Sequence, residues 1–367
     1  MEPDPSPGQD LPETAAPVAP PPEPEHHRFE FRGRAGEYFR IWIVNVALSV
    51  LTLGIFSAWA KVRRERWFYG NTWVAGAPFE YLAEPLPILK GRAVAVLILI
   101  AYVGVGQVAP LVQPALLIAL GIATPWLVYK GLQFRARYSG WRSLNFSFTG
   151  ALRPAINVYF WRWYALIPTL GLAFPWIRHG QTRYTVDGHR FGGENVTFGA
   201  GTGSFYRLYG RVSLTVLVLL VLALVGVGLL AWALTSRPGL LSPQQSGFVA
   251  GFGGVIAAYA ALITGWVIAA TRLTNLTFNS ASIAGHRFRS SLRARDVLGL
   301  YFTNTLAVLA SLGLLVPWAR VRMARYRASH LALLAAGPPE AFRSSERRAE
   351  GAAGAETADF MDVDFSL

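Results

Sequence analysis

Apolar residues gather in seven stretches along the chain, near positions 41–60, 93–109, 111–129, 156–177, 212–235, 248–270 and 297–319. A helix needs about 20 apolar residues to cross a hydrocarbon core of ~30 Å. Val212–Leu234 and Phe248–Ala270 meet that length without an internal charge. Ala93–Val108 and Leu111–Tyr129 are slightly shorter and flank Pro110, so this pattern predicts a tight helical hairpin. The chain therefore reads as an α-helical polytopic membrane protein of seven apolar segments. Two transmembrane hairpins account for four of them, and the other three are of a different kind.

Those three share a spacing. Leu53-Gly54, Leu170-Gly171 and Leu312-Gly313 are each followed five residues after the glycine by a tryptophan, Trp59, Trp176 or Trp318. Two residues beyond the tryptophan stands a cation (Lys61, Arg178, Arg320), and seven beyond it an arginine (Arg66, Arg183, Arg325) that precedes an aromatic residue. Nine residues before each glycine lies a polar side chain, Asn45, Arg162 or Asn304, and twenty-five before it a phenylalanine, Phe29, Phe146 or Phe288. So many matched offsets predict three related units, spanning 29–80, 146–198 and 276–330, separated by hairpins at 91–130 and 211–271. Gly-x-x-Phe recurs at Gly76–Phe79, Gly188–Phe191 and Gly285–Phe288. Beside it, Phe29–Gly33, Asn145–Gly150 and Leu276–Asn279 alternate aromatic and polar residues, which predicts short cytoplasmic strands outside the hydrocarbon.

Composition supports the membrane reading. Of 367 residues 53% are hydrophobic and 15% charged, where a soluble domain carries about 25% charge. The absence of cysteine excludes disulfides, thiolate metal sites and a cysteine nucleophile. Residues 1–27 hold nine prolines and six acids with no Lys or Arg, and residues 336–367 hold seven acids and three arginines, so both ends read as disordered acidic tails. The intervening 28–335, one membrane domain, keeps 31 bases against 8 acids.

Topology follows from where those bases lie. If all seven segments cross, the bases divide into 14 and 19 on the two faces, against the positive-inside tendency. If each Leu-Gly segment instead enters and leaves on one side, 32 bases share a face and Arg237 alone is opposite. Helix-breaking Gly54, Pro168, Gly171, Pro175, Gly313 and Pro317 favour that second arrangement.

Asn45, Arg162 and Asn304 are the strongly polar side chains repeated inside apolar stretches. They admit two readings: a binding site for a polar head group or solute, or interhelical bonds with Arg162 reaching to the surface. The cations Lys61, Arg63, Arg64, Arg66, Arg178, Arg183, Arg320, Arg322 and Arg325, with Trp59, Trp176 and Trp318 as interfacial aromatics, form a basic face suited to anionic lipid head groups or to topogenic anchoring. No carboxylate lies within a span, which weighs against an ion-coupled pump. His189 and His286 occupy matching places in Gly-His-Arg-Phe, but Ala77 stands there in the first unit, so no metal ring is expected. Asp187 beside His189 lacks a nucleophile, and Gly199-Ala-Gly201-Thr-Gly203 lacks the lysine of a phosphate loop. No enzyme signature, metal, cofactor or nucleic-acid site is expected.

The run Glu37–Asn45, Leu51–Arg64 and Phe68–Thr72 resembles the YjgN-like family of bacterial inner-membrane proteins, as do Trp141–Gly150 and Val316–Tyr326. The resemblance covers about residues 29–335. It implies a bacterial cytoplasmic (inner) membrane and a domain of unknown function, and it carries no functional residues across. The expectation is a non-enzymatic multi-pass protein whose basic aromatic face meets anionic lipid or an unknown protein partner. The other reading is a transporter or flippase for an amphiphile or small solute.

Overall fold

The computed structural model describes residues 25–109, 111–236 and 242–337. Both expected tails fall largely outside them. Glu25–His27, counted with the first tail, belong to a strand.

Eleven strands form a single antiparallel sheet. In chain order they are β1 (Glu25–Arg28), β2 (Glu30–Phe31), β3 (Thr72–Val74), β4 (Ala77–Tyr81), β5 (Ser139–Trp141), β6 (Leu144–Phe148), β7 (His189–Phe191), β8 (Glu194–Phe198), β9 (Ala281–Ile283), β10 (His286–Ser290) and β11 (Leu331–Ala335). From β2 to β11 each strand pairs with the next in sequence, and β1 pairs with β11 instead of β2. One residue, Phe29, separates β1 from β2, so the two ends of the sheet meet and it rolls into a nearly closed barrel. Four of the links are two-residue turns with both central residues at positive φ: Ala75-Gly76, Arg142-Ser143, Gly192-Gly193 and Ala284-Gly285. Such turns match the right-handed twist of the strands they join.

Strands β3 to β11, with Phe29 between β1 and β2, contribute to one apolar interior. Phe29, Val74, Phe79, Trp141, Phe146, Phe191, Val196, Ile283, Phe288 and Leu333 pack together inside the barrel. The alternate positions are exposed and polar, among them Glu30, Glu80, Asn145, Ser147, Asn195, Thr197, Arg287 and Arg289. A polar outer face belongs in water, the opposite of a barrel immersed in lipid.

From one rim rise five helical hairpins. Two are long: α3 (Pro85–Val108) with α4 (Gln113–Arg137), and α7 (Thr202–Thr235) with α8 (Pro243–Asn279). These four helices are long and apolar enough to cross a membrane, and their apolar windows are almost entirely uncovered by protein. Three hairpins are short: α1 (Ala35–Leu51) with α2 (Ser57–Gly70), α5 (Leu152–Tyr159) with α6 (Phe174–Asp187), and α9 (Ala294–Ala310) with α10 (Val316–Ser329). A 3-10 turn, Trp161–Leu166, extends α5.

This corrects the reading of seven apolar segments. Four are candidate spans; each Leu-Gly segment is two antiparallel helices of 17 residues or fewer, reversing at the Leu-Gly pair. Leu53, Leu170 and Leu312 have φ near 50°, and Gly54, Gly171 and Gly313 near 90°. The N–H of each glycine donates five residues back: Gly54 to Ser49 O (2.7 Å), Gly171 to Leu166 O (2.9 Å) and Gly313 to Val308 O (2.8 Å). This is a Schellman-type closure, which explains the glycine. Pro175 and Pro317 are not breakers; they occupy the first turn of α6 and α10, where proline starts a helix without losing a bond. Nor are the strands separate short pieces, since one sheet gathers them all. Leu276–Asn279, read as strand-like, ends α8, and Gly188 caps α6 whereas Gly76 and Gly285 make β-turns.

One backbone bond occurs at the base of all five hairpins. The residue after each second strand donates to the residue that ends the returning helix: Arg32 to Asn71, Leu82 to Tyr138, Thr149 to Gly188, Gly199 to Ser280 and Ser291 to His330, at 2.8–3.0 Å. Short and long hairpins thus share one mount on the barrel.

Candidate functional site

The cations collect where the helices leave the barrel. All ten helices carry at least one in the half nearer the sheet or adjoining it, including Arg40, Lys90, Arg92, Lys130, Arg153, Arg207, Arg211, Arg272 and Arg295. Trp59, Trp176 and Trp318 stand at the third residue of α2, α6 and α10, partly exposed.

The helix periodicity fixes what each side chain meets. Asn45 on α1 is buried and donates to Ala60 O on α2 (3.4 Å), while Arg63 donates to Asn45 Oδ1 (3.5 Å). The third short hairpin repeats this. Asn304 donates to Ala319 O (3.3 Å), and Arg322 donates to Asn304 Oδ1 (3.0 Å) and Thr303 Oγ1 (2.7 Å) with its guanidinium 5.1 Å above Trp318.

In the second hairpin the partners trade helices. Arg162 stands where the others have asparagine, and Gly180 stands where they have Arg63 and Arg322, four residues after the tryptophan. The Arg162 guanidinium lies 4.3 Å above Trp176 and its Nε donates to Asn157 Oδ1 (3.0 Å). A Cβ at Gly180 would overlap Arg162 Nη1. The amide moves too: Gln181 on α6 donates to Val158 O (3.4 Å) and accepts from Arg178 (2.8 Å). Each of Asn45, Arg162 and Asn304 is thus bonded within its own hairpin, and among the described residues no hydrogen bond joins one to another.

The remaining cations latch the hairpins to their surroundings. Arg66 donates to Ala83 O (3.1 Å), Arg325 to Gly33 O (3.2 Å) and Arg320 to the Tyr38 hydroxyl (3.1 Å); Arg183 pairs with Asp187 (3.1 Å) and Arg64 with Glu65 (2.6 Å). His179 takes the latch role in the second hairpin, 3.0 Å from Ala200 O. Asp187 also accepts from the Phe198 N–H (2.7 Å), and His189 bonds Thr185 O, so these two are engaged separately. Burial, with Tyr159 and Tyr129 nearby, pushes the Tyr184 hydroxyl up to about 12, and it donates to Ala151 O (3.0 Å). Burial holds His189 below its ordinary range, so the ring is neutral inside the rim. Among the described residues no three His, Asp or Glu side chains could hold a metal ion.

Sequence reasoning missed Gly180, Gln181 and the hydroxyl preceding each Leu-Gly pair. Thr52 accepts from Phe56 N (2.9 Å), Thr169 from Ala173 N (3.1 Å) and Ser311 from Leu315 N (3.0 Å), bridging the reversal just before the returning helix. The aligned Thr/Thr/Ser was the signal for these bonds, and the glycine at an arginine position was the signal for the exchange.

Comparison with known proteins agrees on the class. A family model described as "Bacterial protein of unknown function (DUF898)" matches residues 26–360. An "Inner membrane protein YjgN" of Salmonella typhimurium is 26% identical over 359 residues, covering 83% of this chain and 88% of that protein. A protein of the same name from Escherichia coli O157:H7 is 30% identical over 128 residues, 35% of this chain and 32% of that one. No solved structure matches.

Proposed function

Because the chain belongs to the DUF898 family of bacterial proteins, whose similar members are inner-membrane proteins, we propose that it is a non-enzymatic anchor. In this reading its basic helix bases engage anionic lipid at the cytoplasmic leaflet and hold the barrel against it. The observation that carries the reading is the collar: cations on all ten helices beside the barrel, with 31 bases against 8 acids over residues 28–335. Two long hairpins leaving one rim keep barrel and collar on a single side, and excess Lys and Arg favour the cytoplasmic one. Each cation near an anionic leaflet contributes ~1 kcal/mol. Carriage of an amphiphile draws less support, because Asn45, Arg162 and Asn304 are each engaged inside one hairpin.

Two measurements test this. In nanodiscs, the purified protein is expected to retain phosphatidylglycerol about tenfold over phosphatidylcholine, with the preference fading in high salt; equal retention overturns the reading. The cysteine-free chain also suits labelling. Leu111→Cys, 92% exposed beyond α3, is expected to react with an impermeant maleimide in spheroplasts, and Ser147→Cys on the barrel to react after permeabilisation alone. The reverse pattern sinks the cytoplasmic assignment.

A further inference from the structure

The cation two residues after the tryptophan has a different fate in each short hairpin. Arg178 donates to Gln181 and Arg320 to the Tyr38 hydroxyl. Lys61 forms no hydrogen bond or ion pair with any described residue, although it is half-buried. Beside it Ala58 and Val62 on α2 pack with Ile88 and Leu89 on α3 and Phe134 and Tyr138 on α4, so three helices meet here. Arg92 reaches across from α3 to the Ser57 hydroxyl at the start of α2. Arg64 lies on the same helix and Arg135 on α4, and the acid in reach, Glu65, is already held by Arg64 (2.6 Å). Burial, and after it the charge of Arg92, holds the Lys61 ammonium below the ordinary lysine range. Cations from three helices outnumber the single acid among them and repel one another, and an anion beside Lys61 and Arg92 offsets that cost.

Beyond Arg92, α3 exposes Val94, Val96, Leu97 and Ile98. This junction therefore sits where hydrocarbon begins, at head-group depth. We propose that Lys61 and Arg92, one helical turn apart across Ser57 and flanked by Arg64 and Arg135, form a discrete site for one phosphate group, borne by an anionic phospholipid. The assignment rests on the reading above and makes it specific: one position of the collar is a shaped site, not diffuse charge. Phosphate suits it because tetrahedrally disposed oxygens can accept from donors on two helices at once.

Calorimetric titration of the full-length protein in zwitterionic detergent tests this, with dioctanoyl phosphatidylglycerol and inorganic phosphate as separate probes. One saturable phosphatidylglycerol per chain is expected. Lys61→Gln or Arg92→Gln should weaken it about tenfold, and Lys61→Arg should keep it. Arg211→Gln, at the base of α7, should change it less than about twofold. The melting temperature of Lys61→Gln is expected to equal or exceed the parent's, which separates lost binding from lost folding. Binding of inorganic phosphate as tight as that of the lipid supports a phosphate site but overturns its lipid occupant. Equal small losses in Lys61→Gln, Arg92→Gln and Arg211→Gln overturn the discrete site and leave the collar standing. A protein that prefers no anionic lipid in nanodiscs removes the collar reading, whatever this titration gives.

Discussion

Gly180→Arg is expected to lower stability by about 2–3 kcal/mol, and adding Arg162→Asn to return most of that loss. The first substitution drives a side chain into the space of the Arg162 guanidinium, which Trp176 and Asn157 hold in place. It also sets two guanidinium groups against one ring. The second substitution rewrites the pair as it stands in the other short hairpins, where Asn45 meets Arg63 and Asn304 meets Arg322. Arg162→Asn alone leaves Trp176 without its cation beside the glycine gap and is expected to cost about 1 kcal/mol. Thermal melting of the detergent-solubilised variants, followed by tryptophan fluorescence, checks the cycle. A double variant no better than the sum of its parts would show that the three hairpins do not share one exchangeable site.

Trp141→Ala is expected to cost about 3–5 kcal/mol and to unfold the barrel as a unit. Trp141 is 4% exposed, its ring lies 6.2 Å from Phe79 and 5.8 Å from Phe191, and its Nε1–H donates to Ala77 O (3.3 Å). Its loss opens a cavity among side chains that nine of the strands supply, in strands too short to compensate locally. Since all five hairpins end on those strands, the helices lose their common mount. Trp126 on α4, 50% exposed, provides the contrast: Trp126→Ala is expected to stay within about 0.5 kcal/mol in the same melting assay. Comparable losses at both positions would mean that the barrel interior is not the centre of stability.

Trp141 and Trp126 also show where reading the chain by itself ends. Both are tryptophans near apolar runs, and pattern does not rank them. Their difference comes from a sheet whose partners lie far apart, with Glu25 beside Ala335 and Tyr81 beside Ser139. Strands of two to five residues carry few alternations, enough to mark Phe29–Gly33 and Asn145–Gly150 but not the rest, and none reveals its partner. The five-hairpin mount was hidden for a related reason. It is made of backbone bonds, Leu82 to Tyr138 and Gly199 to Ser280 among them, which place no demand on side-chain identity. The long hairpins share the mount without the Leu-Gly signature, so side-chain spacing picked out the three short ones alone.

The Asn45, Arg162 and Asn304 positions were legible as a repeated polar level, and their partners were not. An ungapped comparison displays Gly180 opposite Arg63 and Arg322, yet a missing side chain becomes meaningful once the opposite helix is seen to supply the guanidinium.

The order of residues alone determined the features set by local physics. Apolar length makes α3, α4, α7 and α8 able to span a bilayer, and Leu-Gly with a preceding Thr or Ser fixes a helix reversal within a few residues. Tertiary structure alone decided that the hairpins stand on one rolled sheet, and that among the described residues Lys61 forms no hydrogen bond or ion pair while Arg178 and Arg320 find a partner. Those outcomes depend on contacts between residues tens to hundreds of positions apart, whose free energy is set by packing and closure, and no local preference encodes it.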